Sequence, residues 1–236
     1  MKDIEIIYEN KDIIVVNKPA GMMVHGVEGK ISVEPTLADI LLEKYPEIRT
    51  VGDDPNLRPG IVHRLDKDTS GVMVVARNQK SFEYLKSLFK TRDIKKTYIA
   101  VVSGVPKEKQ GIIDQPIGIK NGTTRRSVRS GKMAKPAVTE YEVTKTTETI
   151  DGHGKESPFT LLSVSPKTGR THQIRVHLKS IGHPIVGDVL YGPKKQPPWA
   201  TRLMLHAASI EFSDGHGVRM RFDAETPKEF EKIFKK

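Results

Sequence analysis

The chain contains no cysteine, which excludes disulfides and thiolate zinc sites and fits a reducing compartment. It has no long apolar run either. Ile13 to Val16 and Val72 to Ala76 are strand-sized, far short of the roughly 20 residues a membrane-crossing helix needs. The start, Met1-Lys2-Asp3-Ile4-Glu5, lacks the apolar core of a signal peptide. No internal repeat, low-complexity linker or break in composition divides the sequence. The expectation is a soluble cytoplasmic protein folded as one domain over residues 1–236, long enough to bury a proper core. Acidic residues are the minority, 29 Asp and Glu against 39 Lys and Arg, for a formal net charge of +10. That excess suits a polyanionic partner such as nucleic acid, although charge alone fits a merely basic protein equally well.

What the sequence does contain is a series of short strand signals. Ile4 to Tyr8 and Ile13 to Asn17 flank a polar tetrad and read as a hairpin. Thr36, with Asp39 three residues on, starts a helix whose stripe is Leu37, Ile40, Leu41 and Tyr45, stopped by Pro46. Residues 47–60 read as a polar loop, and 72–76 as a strand followed by a helix with Phe82, Leu85, Leu88 and Phe89 on one face. Tyr98, Ala100 and Val102 share one face of a strand. Residues 107–136 are weakly patterned. Strands follow near 141–143 and 159–164, then a helix over Thr171 to Ile181, a closing hairpin over 203–222 and a short helix after Pro227. Hairpin-linked strands without strict βαβ alternation predict an α+β domain, a mostly antiparallel mixed sheet flanked by helices and loops.

Three constellations could carry chemistry. The stretch from Pro59 to Gly71, centred on His63-Arg64-Leu65-Asp66-Lys67-Asp68, places the Asp66 carboxylate between basic neighbours, an arrangement in which catalytic carboxylates often sit. Asp66-x-Asp68-x-Ser70-Gly71 imitates half of a calcium loop, but Arg77 stands where the bidentate Glu belongs. The residue order also differs from a kinase catalytic loop, and no Gly-rich phosphate loop precedes it. Taken alone, the two aspartates equally fit turn capping. The second constellation is Lys96-Thr97-Tyr98, a half-buried strand tyrosine of the kind that usually belongs to a core. The third runs from Thr168 to Leu178 and holds Arg170, His172, Arg175 and His177. Its histidines lack the four-residue spacing of a metalloprotease helix, so no metal is expected, and an amphipathic surface helix is the plain alternative. The basic, glycine-punctuated segment 120–132, with Arg125, Arg126 and Arg129, lacks apolar periodicity and reads as a mobile loop. It fits an electrostatic clamp on phosphates that positions rather than reads sequence.

His63-Arg64-Leu65-Asp66-Lys67-Asp68-Thr69-Ser70-Gly71 resembles the catalytic motif of the RluA/RluD-type pseudouridine synthases. Lys96-x-Tyr98 resembles that family's KxY, and residues 168–177 its TGRxHQxRxH. Asn17 to Gly21, Lys135 to Tyr141 and Arg202 to Ala207 resemble its NKPxG, KPAxTxY and RxxLHA segments. The matches run in family order from residue 13 to about 212. The resemblance implies that Asp66 is the nucleophile, that Tyr98 lies against the target base, and that Arg175 pairs with Asp66. An arginine suits that last task, since it stays charged and can hold a carboxylate through two parallel hydrogen bonds. It further implies that Arg64 enters the RNA helix as the uridine is flipped out, and that the loop at 120–132 grips RNA. His63, Lys96, Arg170 and His172 are the remaining candidates for contact with substrate.

The expected activity is isomerisation of uridine to pseudouridine in structured RNA, with no cofactor, because nothing leaves and nothing is oxidised. Attack on the ribose, addition to the uracil and action as a base all remain open for Asp66. The chain opens directly on the catalytic hairpin, without the small N-terminal RNA-binding module of many ribosomal members, which counts against the large ribosomal subunit and makes transfer RNA a real option. The partner is still expected to be rRNA first and tRNA second, with no membrane, and the protein a monomer. Two rivals differ in class: a nucleosidase or glycosidase using Asp66 with Asp68, which would release free base, and a non-catalytic RNA-binding protein of the same charge.

Overall fold

The computed structural model describes residues 4–27, 29, 34–120, 123, 125–128 and 133–235. Its strands in chain order are β1 (Glu5–Glu9), β2 (Ile13–Lys18), β3 (Ser70–Ala76), β4 (Lys95–Ser103), β5 (Gln110–Asp114), β6 (Gly118–Ile119), β7 (Arg126–Ser127), β8 (Val138–Ile150), β9 (Glu156–Pro166), β10 (Leu205–Ser213) and β11 (Arg219–Asp223). The helices are α1 (Leu37–Lys44), α2 (Gln79–Thr91), α3 (Gln173–Ser180) and α4 (Lys228–Lys232). The elements gather into two compact units, one holding residues up to 96 together with 207–225, the other 97–206 together with those from 226 onward. The α+β class expected from the sequence holds. No helix among the described residues is long and apolar enough to cross a membrane.

In the first unit the strands lie in the order β1-β2-β3-β10-β11, and β1–β2, β2–β3 and β10–β11 are antiparallel. Every residue of β3 is buried, which is why it reads as a continuous apolar run rather than an alternation. Helix α2 packs on it through the side carrying Phe82 and Leu85. Its first turn is capped by Asn78, whose side chain accepts from the Ser81 N–H at 2.9 Å. The capping box expected at Thr36 is present. The Thr36 hydroxyl accepts from the Asp39 N–H, and the Asp39 carboxylate accepts from the Thr36 N–H at 2.8 Å. Past Pro46 the chain does not become an irregular loop at once: residues Pro46–Thr50 form a 3-10 helix that buries Ile48, a tight turn that proline at its first position favours.

In the second unit the order is β4-β9-β8-β5, all antiparallel, with Tyr98 opposite Val164 and Ile113 opposite Thr139. The weakly patterned stretch after 107 supplies β5 and the small β6–β7 hairpin, pieces too short to show periodicity. Ala100, Val102, Leu162 and Val164 of the sheet form one core with Ile174 and Leu178 of α3 and Phe230 of α4. Helix α3 begins at Gln173, later than its sequence suggests, because His172 adopts a left-handed conformation (φ 56°) at its N-cap. Six consecutive residues, Gln173 to Leu178, are buried. A helix enclosed on all sides cannot show a clean amphipathic stripe, and its polar side chains must find partners inside the fold.

Gly71 closes the Asp66 loop onto β3 with φ 120°, and a Cβ there would lie 2.2 Å from the Ala207 carbonyl oxygen. Both the backbone angle and the close approach to β10 require glycine. Gly71→Ala is expected to destabilise the protein by about 3 kcal/mol or more, read as a lowered midpoint in urea or thermal unfolding. A midpoint within error of wild type would show that β10 yields at no cost.

Candidate active site

Asp66 lies partly buried on the loop between Ile61 and Ser70 of the first unit, with Arg64 exposed beside it. The loop is fixed from below by Lys18 at the end of β2. Lys18 is fully buried, and its ammonium donates to the carbonyls of Pro19 (2.9 Å), Met22 (2.8 Å) and Lys67 (3.0 Å). The Lys67 carbonyl also accepts from the Gly21 N–H at 3.0 Å, and the Asp66 carbonyl accepts from the Thr69 N–H at 3.1 Å. The segment Asn17 to Gly21, legible in the sequence as a turn near the site, is thus the support that holds the backbone just after Asp66.

His63 is placed as a support as well. Its Nε2 accepts from the Val74 N–H of β3 at 3.1 Å, and its ring stacks on Phe89 of α2, centroids 4.7 Å apart. Burial drives its pKa down to about 3, with the Lys96 ammonium adding to the effect, so the ring is neutral at neutral pH. Burial also lowers the pKa of Lys96. His63, Arg64, Asp66 and Lys96 therefore belong to one unit, and the other candidates to the second.

In the second unit Tyr98 sits half-buried on β4, and Arg175 is buried in α3. The Arg175 guanidinium makes a two-pronged pair with Asp188, Nε to Oδ2 at 2.7 Å and Nη2 to Oδ1 at 2.9 Å, and stands 5.1 Å over the Tyr191 ring. Burial acts to raise the Asp188 pKa, but Arg175 and the N–H groups of Tyr191 and Leu190 outweigh it and hold it below the usual carboxylate range. The pair uses one edge of the guanidinium, Nε and Nη2; an arginine fork presents further N–H donors on its other side. Nothing in the sequence singled out Asp188, whose signal is faint: a lone aspartate before Tyr191 with no basic neighbour in sequence.

The remaining candidates divide by contact. His172 Nδ1 meets the Tyr191 hydroxyl at 2.8 Å, and that hydroxyl accepts from the Arg126 N–H at 2.9 Å. Arg170 donates through Nε to the Pro136 carbonyl at 3.1 Å. Arg125 is exposed. Arg129 lies outside the described residues. Beneath them runs a buried polar chain. Thr168 Oγ1 donates to Gln173 Oε1 (2.6 Å), and Gln173 Nε2 donates to Thr139 Oγ1 (3.0 Å). His177 then links Thr139 to the Gln115 carbonyl at 2.8 and 2.9 Å. Burial lowers the His177 pKa despite opposing contributions from Gln115 and Asp114.

Both supports of the Asp66 loop can be tested. Lys18→Met would leave three carbonyls without their shared donor, so stability should fall by about 3 kcal/mol in urea unfolding; an unchanged midpoint would remove Lys18 as the loop's anchor. For His63 the folded pKa is depressed, so its stabilising contribution is complete above pH 6.5, the ordinary value, and drains away as pH falls toward about 3. His63→Gln keeps an acceptor for the Val74 N–H but cannot be protonated. Its melting temperature should decline less steeply than that of wild type between those limits, and parallel curves would exclude His63 as a source of acid sensitivity.

Residues 12–180 match the family described as RNA pseudouridylate synthase. Over 232 residues, 98% of this chain and 72% of the relative, the sequence is 37% identical to the RNA pseudouridine synthase YlyB of Bacillus subtilis. It is also 37% identical over 227 residues, 96% of this chain and 66% of the relative, to a Borreliella burgdorferi protein named ribosomal large subunit pseudouridine synthase D. Among solved structures, human RNA pseudouridylate synthase domain containing 1 superposes with a TM-score of 0.76 at 27% identity, covering 96% of this chain and 84% of that one. This chain belongs to the RNA pseudouridylate synthase family, the isomerases that convert uridine in RNA to pseudouridine.

Proposed function

We propose that the chain modifies ribosomal RNA of the large subunit in the cytoplasm, with Asp66 as its nucleophile. The observation that carries the role of Asp66 is the buried Lys18 ammonium, which pins the Lys67 carbonyl at 3.0 Å and so fixes the backbone next to the carboxylate. Positioning of that kind is what covalent catalysis requires of a reacting group. The choice of RNA is supported by the 37% identity to the Borreliella protein named for the large ribosomal subunit.

In the reaction the bond from ribose C1′ to uracil N1 breaks, the base turns within the site, and C1′ bonds to C5. The C5 proton passes to solvent and N1 gains one, so atoms balance without oxidant or reductant. Asp66 takes up the reactive centre while the base is detached and leaves when the new bond forms. Tyr98 offers a ring face against the extruded uracil. Arg175, held by Asp188 at 2.7 Å, supplies fixed positive charge for the carboxylate, and Arg64 fills the space the base vacates.

Unmodified ribosomal RNA and transfer RNA carrying tritium at uridine C5 test this directly. Wild type is expected to release tritium from ribosomal RNA without free uracil. Asp66→Ala should lose turnover by at least about a thousandfold while binding RNA as wild type does. Release from transfer RNA alone would overturn the choice of substrate, and equal losses of binding and turnover would overturn the role of Asp66.

A further inference from the structure

His25 lies on the segment that follows β2, and no step of the proposed reaction uses it. Its ring is half-buried, and Nδ1 lies 2.7 Å from the Gly26 carbonyl oxygen. A carbonyl can only accept, so Nδ1 carries the ring proton and Nε2 of the neutral ring is an acceptor. Among the described residues nothing donates to that nitrogen. Burial pushes the ring toward its neutral form, and the nearby Arg64 and Arg58 add to the effect against Gly26 and Asp54. Both arginines are exposed, and neither guanidinium has a hydrogen bond or ion pair among the described residues. An uncharged acceptor thus stands close to two uncommitted cations and one carboxylate, all in the unit that carries Asp66.

We infer that His25 accepts a hydrogen bond from a ribose 2′-hydroxyl of the RNA, at the nucleotide beside the target uridine. The inference rests on the family's action on RNA and on the placement of Arg64 in the space that the flipped base leaves. Between the position of a base in a strand and the backbone phosphate lies the ribose. Arg64 works at the level of the bases, and Arg58 can take a phosphate through charge-assisted hydrogen bonds. The group offered to a ring close to both is the sugar. A phosphate only accepts and would meet the Asp54 charge as well, whereas a hydroxyl is neutral and donates to Nε2. The contact favours ribose over deoxyribose at one position, a distinction that cations alone cannot make.

The ring is mounted on ordered backbone. The Met23 and Val24 carbonyls accept at 2.9 Å from the first N–H groups of α1, those of Leu37 and Ala38, and the Met22 and Val24 side chains are buried. Arg58 is tied through its N–H to the Asp54 carbonyl at 2.9 Å and through its carbonyl to the Ile61 N–H at 3.2 Å. Fixing these segments before RNA arrives lowers the ordering cost of binding. It also lets a single missing hydroxyl count against a strand.

Interference mapping on the full chain tests the contact. Transcripts of large-subunit ribosomal RNA and of transfer RNA carrying random 2′-deoxy substitutions are bound, and bound and free fractions are sequenced. Wild type is expected to show a position, adjoining the uridine it converts, at which deoxyribose weakens binding about fivefold. His25→Asn keeps a donor for the Gly26 carbonyl but does not reach as far as Nε2. It should bind unsubstituted RNA about fivefold more weakly, lose interference at that position alone, and keep the wild-type melting temperature. His25→Gln, whose amide oxygen reaches the place of Nε2, should restore the interference. Failure to bind either transcript, no interfering position in wild type, or an identical map in His25→Asn would each overturn the inference. So would a loss at every position that accompanies a fallen melting temperature. Tritium release by the same preparations keeps the two readings apart. Turnover by wild type with an unchanged map in His25→Asn rejects the His25 contact alone. No turnover on any RNA rejects the proposed function, and the maps still decide whether His25 meets a hydroxyl.

Discussion

The first unit depends on one buried cation. Removing a lysine ammonium from water is costly unless every proton finds an acceptor, and Lys18 finds three backbone carbonyls, those of Pro19, Met22 and Lys67. Two of these lie in the turn that follows β2, and the third lies in the Asp66 loop, far away in sequence. The requirement to solvate a single charge therefore ties that loop to a strand deep in the sheet. The glycines serve the same tie. Gly21 turns with φ 82° and its N–H reaches the Lys67 carbonyl, and Gly71 lets the loop pass close to Ala207 on its way into β3. A reacting group on an unsupported loop would lose much of the advantage of position; the support of the Asp66 loop is charge-assisted and internal.

The second unit meets a related constraint with different groups. Because α3 is buried over six consecutive residues, its Gln, Arg and His side chains must be satisfied without water. Gln173 and His177 do so through the chain from Thr168 to the Gln115 carbonyl, and Arg175 through Asp188. A bidentate pair with both partners nearly inaccessible restricts the guanidinium far more than an exposed bridge would. Arg175 can then present its charge in one direction only.

Much of this is legible in the amino-acid sequence. The nine residues from His63 to Gly71, the KxY tyrosine and the segment around Arg175 announce the family, because their residue types, spacing and order match its motifs. The capping box at Thr36 and the strand 72–76 are legible because their signals are local. What stays hidden depends on contacts distant in sequence. Lys18 looks like any turn lysine until its three carbonyls come together, and Asp188 looks like a loop aspartate until Arg175 is folded against it. His63 and His172 carry the signal of substrate contact, yet both rest against the scaffold, His63 on Val74 and Phe89 and His172 on Tyr191. Strands β5, β6 and β7 are short or have exposed residues, and such pieces take their form from the neighbours they pair with rather than from their own periodicity.

Four ionisable groups of the scaffold share one direction. His25, His63 and His177 are pushed toward the neutral form chiefly by burial, and Asp188 is held ionised chiefly by Arg175 against its own burial. In every case the folded state binds its proton less readily than an unfolded chain would, so stability declines as pH falls and none of the four penalises neutral or mildly alkaline solution. The same assignment bears on RNA. Burial pushes His25, His63 and His177 toward the neutral form, so these three add little to the pull on a polyanion, to which Lys and Arg contribute. Attraction by fixed cations is governed by the counterions displaced from the nucleic acid. Salt is then one variable that sets how tightly such cations hold RNA, while falling pH weakens the scaffold through these four groups.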